Sequence, residues 1–194
     1  MSSKLKVRSP KENPKNKKYK QDRKFAEHCY SEIFTSMQLI CVSTLHSSEE
    51  DGGFDFTVKK LQNFNKFTTL HNEENIAGKL KSKDTENKLR EWGFDCEKRA
   101  AVFPYRAKVK MICGDRPVNK VKNFNILLCS ADVAIRAYLI LVVHTLRTHY
   151  RFSLDDVNRW WDKMLEVGGL YAKGMTDEWV ISFIKDDSGL EIVK

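Results

Sequence analysis

The chain has 194 residues, of which 41% are hydrophobic and 31% charged, and its net charge is +8. That composition supports a buried core and excludes disordered, fibrous and collagen-like classes. Five cysteines, Cys29, Cys41, Cys96, Cys113 and Cys129, are odd in number and mostly set among apolar neighbours. They read as reduced thiols in a reducing compartment and not as a secreted disulfide framework.

Residues 1–24 hold ten Lys/Arg against Glu12 and Asp22, so this segment alone carries the whole net charge of +8. Rich in Lys, Ser, Pro and Asn, it cannot bury enough apolar surface to order itself, and it reads as a flexible basic tail. Lys4, Lys6, Arg8, Lys11, Lys15, Lys17, Lys18 and Lys20 are candidate nucleic-acid contacts, because lysines on phosphates release counterions. The segment lacks the apolar stretch and small-residue cleavage site of a signal peptide, so a cytoplasmic location is expected.

Residues 25–96 read as a first helical unit. A long apolar-periodic helix closes on Leu39 to His46. After Phe56, Thr57 can cap a second helix, with Val58, Leu61 and Phe64 forming one apolar stripe. Thr85 is expected to cap a third helix that Gly93 ends, glycine being favoured just past a helix because it accepts the left-handed conformation.

Residues 97–123 form a connector with eight basic side chains against two acidic. The alternation from Arg106 to Met111 reads as a short strand, with Arg106, Lys108 and Lys110 on one face. These three, with Arg116, Lys120 and Lys122, are further candidate nucleic-acid contacts. Cys113 to Pro117 is a turn signal.

Residues 124–194 read as a second helical unit. Its apolar stretch Ile126 to Leu146 carries Asp132, Arg136 and His144, and its longest unbroken apolar run is Ala137 to Val143. A spanning helix needs about 20 mainly apolar residues, so this is a buried central helix. Its end, Ile140 to Arg147, repeats Leu39 to His46. Phe152 to Trp160 repeats Phe56 to Phe64, and Thr176-Asp177-Glu178 followed by Gly189 repeats Thr85-Glu86-Asn87 followed by Gly93. Three matches in one order define the expected fold class: mainly α, two diverged copies of a three-helix unit joined by a basic, partly extended connector, behind a flexible basic tail. Duplication implies pseudo-two-fold packing of the long helices, within one chain or across a homodimer. Trp160 corresponds to Phe64 and belongs to the core. Trp161 corresponds to Asn65 and is expected to point outward, with Arg159 beside it, as a partner-binding contact.

No phosphate-cradling glycine loop, nucleophile elbow, His-Glu-x-x-His or Cys-x-x-Cys motif occurs, so no catalytic residues, metal or cofactor are expected. The acidic pairs Glu73-Glu74, Asp155-Asp156 and Asp186-Asp187 could hold a metal in a nuclease, but most lie where helix ends favour negative charge. His28 and the cysteines lack the close ligand pairs of a structural zinc site.

The long helix ending at Thr145-Leu146, then Arg151-Phe152-Ser153-Leu154-Asp155-Asp156-Val157, Thr176-Asp177-Glu178 and Gly189-Leu190-Glu191-Ile192, resembles a family of small accessory proteins from phages and prophages of Gram-positive bacteria. The resemblance covers about a third of the chain. It implies a mobile-element origin in a bacterial host and supplies no catalytic residues. Proteins of this kind include anti-CRISPR proteins and DNA-binding regulators. The expected function is therefore a non-enzymatic accessory protein that binds nucleic acid or a nucleoprotein such as a CRISPR effector. The alternative is a transcriptional or replication regulator reading DNA through the outward face of Lys59, Lys60, Asn63 and Lys66. A metal-dependent nuclease ranks third.

Overall fold

The computed structural model describes residues 14–113, 121–171 and 173–188, with side chains over 22–112, 124–171 and 173–186. These residues form α1 (Pro14–His46), α2 (Val58–Ile76), α3 (Ser82–Trp92), α4 (Cys96–Val102), α5 (Arg106–Cys113), α6 (Val121–His149), α7 (Leu154–Tyr171) and α8 (Asp177–Ser188). The protein is mainly α, and no strand occurs among the described residues.

Local chemistry sets most of the boundaries. Thr57 accepts from the Lys60 N–H at 3.3 Å and caps α2. Ser153 and Asp156 cap α7 reciprocally: the Asp156 N–H donates to the Ser153 hydroxyl at 3.1 Å and the Ser153 N–H to the Asp156 carboxylate at 3.0 Å. Thr176 accepts from the Trp179 N–H at 3.3 Å and caps α8. Gly93, at φ +110°, ends α3 in the left-handed conformation, and the Phe94 N–H returns to the Leu89 carbonyl at 2.8 Å. Phe94 is thereby turned into the core, where it is fully buried.

Three expectations are corrected. Residues 14–24 are not a loose tail: α1 begins at Pro14, a residue suited to the first helical position because it lacks an N–H and has a preset φ. Once the buried stretch from Cys29 onward has formed a helix, adding turns of Lys, Gln and Arg costs little. Thr85 does not cap α3. The helix starts a turn earlier, at Ser82, and Thr85 lies buried inside it. The alternating segment after Arg106 is α5 and not a strand. Read at the helical period, Tyr105, Lys108, Val109 and Ile112 share one face, and these are the residues that turn inward. Among the described residues of the connector, the link between α4 and α5 is extended at Phe103.

The two long helices lie side by side and parallel. Near their starts the Ser130 hydroxyl donates to the Ala26 carbonyl at 2.6 Å, and further along the Phe34 and Tyr138 rings meet edge to face at 5.1 Å. Their C-terminal ends meet through Phe56, whose N–H donates to the Leu45 carbonyl at 2.8 Å and whose ring lies 5.0 Å from Tyr150. On the two helices Ile33, Met37, Ile40, Leu127, Ala131, Ile135, Leu139 and Val142 are all but closed to solvent. Each large aliphatic side chain so buried stabilises the fold by about 1.5–3 kcal/mol.

The shorter helices then cross over. α2 and α3 pack mainly on α6, whereas α7 and α8 pack on α1. α2 runs back along α6, placing Phe67 against His149 and His71 against His144. α7 runs back along α1, where the Thr44 hydroxyl donates to Met164 Sδ at 3.7 Å. One hydrophobic core therefore includes residues from both halves of the sequence. α6, whose Phe124–His149 stretch is long and apolar enough to cross a membrane by length and composition, is touched by α1, α2, α3, α4 and α5.

Trp161 is also corrected: it is fully buried beside Trp160, with its ring 5.6 Å from Phe103. Phe103 belongs to the connector, which has no counterpart ahead of the first unit, so the comparison with Asn65 could not show what covers this face. A Cβ placed on Gly168 would stand 2.6 Å from the same Phe103 ring. Trp161→Ala should therefore cost about 3–5 kcal/mol in a urea melt, the loss expected for a buried aromatic. A change within about 0.5 kcal/mol, as expected for a surface contact, would contradict the burial.

Candidate nucleic-acid interface

Parallel packing decides where the basic segments lie. Ala26 and Ser130 are 104 positions apart and Cys29 and Leu127 are 98 apart, so the start of α6 stands beside the first turns of α1. Those turns carry Lys15, Lys17, Lys18 and Lys20, followed by Arg23 and Lys24, and α6 begins Val121-Lys122-Asn123. Neither first turn holds an acidic residue. α2 and α5 share this trait, whereas the first turns of α3, α4, α7 and α8 hold Asp84, Glu97, Asp155 with Asp156, and Asp177 with Glu178. A helix N-terminus carries roughly half a positive charge, so the lysines and two helix dipoles gather at one end of the molecule.

Among the other expected contacts, Arg106 and Lys110 are exposed on α5, and seven residues join that helix to α6. Lys4, Lys6, Arg8, Lys11, Arg116 and Lys120 lie outside the described residues, as do Gly189 to Ile192. Arg159 is half exposed, with its guanidinium 4.5 Å over the Phe54 ring and 3.7 Å from Asp156.

Lys108 is a correction. Its ammonium is buried and donates to Asp177 at 2.6 Å. Asp177 also accepts from the Tyr171 hydroxyl at 2.7 Å and from Ser36 at 3.0 Å. The strand reading put Lys108 with Arg106 and Lys110, whereas the helical period turns it inward. Burial and the Asp177 carboxylate hold the Tyr171 phenol far above its usual range. The second buried carboxylate, Glu86, accepts from Arg136 at 2.6 and 2.7 Å. In the sequence match Glu86 and Asp177 are equivalent, and each opens onto the long helix of the other unit.

The buried thiols Cys41 and Cys96 are pushed up to about 12 chiefly by desolvation, so they are inert as nucleophiles near neutrality. Asp156 serves its capping serine, and the hydrogen bonds from Ser153 hold its carboxyl below the usual range. Glu74 accepts from or pairs with His71 at 3.2 Å. No group of three or more His, Cys, Asp or Glu that could hold a metal ion occurs among the described residues.

A cluster the sequence reading did not single out lies at the other end of α6. His71 and His149 face each other with 3.0 Å between their Nε2 atoms, and the His144 ring stands 4.7 Å from that of His71. A cavity of about 80 Å³ adjoins it, lined by Tyr30, Phe34, His71, Asn72, Thr85 and His144. The three histidines come from two helices distant in sequence, and no spacing rule links them. No family model, curated protein or solved structure matches the chain.

If Lys108 serves the fold and not a ligand, Lys108→Met should lower stability by about 3 kcal/mol or more, since it leaves Asp177 buried and uncompensated. Adding Asp177→Asn should recover part of that loss. A single variant as stable as the parent in a denaturant titration would contradict this assignment.

Proposed function

We propose that the chain is a non-enzymatic accessory protein of phage type that binds nucleic acid or a nucleoprotein, a CRISPR effector being the leading candidate, in the cytoplasm of a bacterial host. One observation carries the proposal: two parallel helices start side by side, both without carboxylates in their first turns, and the lysine-rich stretch of α1 lies there. Polyanion binding at that end would set phosphates against this lysine-rich stretch and release their counterions. The exposed Arg106 and Lys110 extend the positive surface. The contact is to the backbone and not to base edges, so affinity without strong sequence preference is expected.

A second reading has its own observation. Lys59, Lys60, Asn63 and Lys66 are all exposed on α2, at the opposite end of the pair, as a groove-reading helix would require. Changing Lys59 and Lys66 to Gln separates the two: loss of sequence-selective DNA binding belongs to the regulator, and unchanged binding to the basic end.

Fluorescence anisotropy of the full chain with duplex DNA, single-stranded DNA and RNA, at low and at physiological salt, tests the proposal. Binding should weaken steeply with salt. With Lys15, Lys17, Lys18 and Lys20 all changed to Gln, the salt slope should flatten by about 0.9 for each duplex phosphate that no longer meets a lysine. No binding at low salt, or a variant with the parent's affinity and slope, would overturn it.

A further inference from the structure

We propose that His71, His144 and His149 form an acid-sensitive latch that fastens α2 to the C-terminal end of α6 at neutral pH and releases it on acidification. The geometry supplies the switch. With 3.0 Å between the Nε2 atoms of His71 and His149, one ring donates its N–H to the other, and this bond exists only while at least one ring is neutral. Phe67 of α2 stacks on His149 at 3.8 Å, so the latch binds the helix by packing as well.

Glu74 stands 3.2 Å from His71 Nδ1, so one positive charge in the cluster has a carboxylate beside it. A second proton places two cations in hydrogen-bond contact, with the third ring 4.7 Å away. The groups facing the cluster make this worse. Arg147 from α6 and Lys88 from α3 oppose protonation of His144, Tyr30 from α1 lines the cavity without charge, and Glu74 is the carboxylate set against them. Burial first, and then the neighbouring histidines and cations, hold His144 down at about 4, and burial with His71 lowers His149.

The folded values of His144 and His149 therefore lie below that of a free imidazole, about 6.5. The open state takes up protons more readily, so the closed state keeps its full advantage above about pH 6.5 and loses it as pH falls from there toward 4. Release would uncover Phe64 and Leu61, now buried, and the cavity beside the cluster.

Amide hydrogen exchange on the full chain, in chelator-containing buffer and corrected for intrinsic rates, reads the opening directly. Between pH 7 and pH 5 the amides of residues 67–76 should lose protection relative to those of α7 by about tenfold, the equivalent of one pKa unit. His149→Asn keeps an amide able to hydrogen-bond His71 but removes one titrating ring and one source of repulsion on His144, so its α2 should show a smaller acid-induced loss than the parent, whatever its protection at pH 7. The latch is overturned if α2 and α7 of the parent change together, or if His149→Asn loses as much protection as the parent.

Discussion

The parallel seam between α1 and α6 is the constraint on which the other elements depend. The two helices meet at Ala26 with Ser130, Cys29 with Leu127 and Phe34 with Tyr138, a run of contacts that requires both to run the same way. That direction has an electrostatic consequence. Two positive helix ends lie abreast, an arrangement that an antiparallel pair avoids, and the apolar contacts of the seam hold them there. Neither α1 nor α6 has a carboxylate in its first turn, a trait shared with α2 and α5 but not with α3, α4, α7 and α8, so no first-turn side chain offsets the two dipoles where they add.

From the same seam follows the crossing of the short helices. α2 and α3 cover α6, and α7 with α8 covers α1, so neither half of the sequence closes its own core. Two buried carboxylates sit at matching places in this exchange. Glu86 reaches Arg136 of α6, and Asp177 reaches Ser36 of α1 with Lys108 as its cation. Buried ion pairs contribute little net stability, but mispacking either third helix would strand a charge away from water, so the pairs fix which helix each one meets. The cations differ because the connector supplies one of them. α5 packs against both long helices, and it brings Lys108 to Asp177.

The helical class, the caps at Thr57, Ser153 and Thr176, and the glycine stop at Gly93 were legible in the sequence because each depends on neighbours within a turn. Inward and outward faces were legible only where period alone decides. Lys108 was misread because six alternating residues fit a strand and a helix equally, and Trp161 because its covering residue, Phe103, comes from a segment with no counterpart in the repeat. The helical start at Pro14 was hidden by composition, since lysine-rich sequence reads as disorder unless a buried continuation nucleates it. The histidine cluster joins α2 to α6 over 78 positions of chain and leaves no local signature.

The measurement that bears most directly on the basic end is hydrogen–deuterium exchange of the full chain with and without a saturating single-stranded or duplex nucleic acid at low salt. If the parallel seam gathers phosphate contacts at one end, the first turns of α1 and of α6 gain protection together, while the loop around Glu49 and Asp51 at the other end is unchanged. Protection of neither helix start, or of only one of the two, would contradict the account.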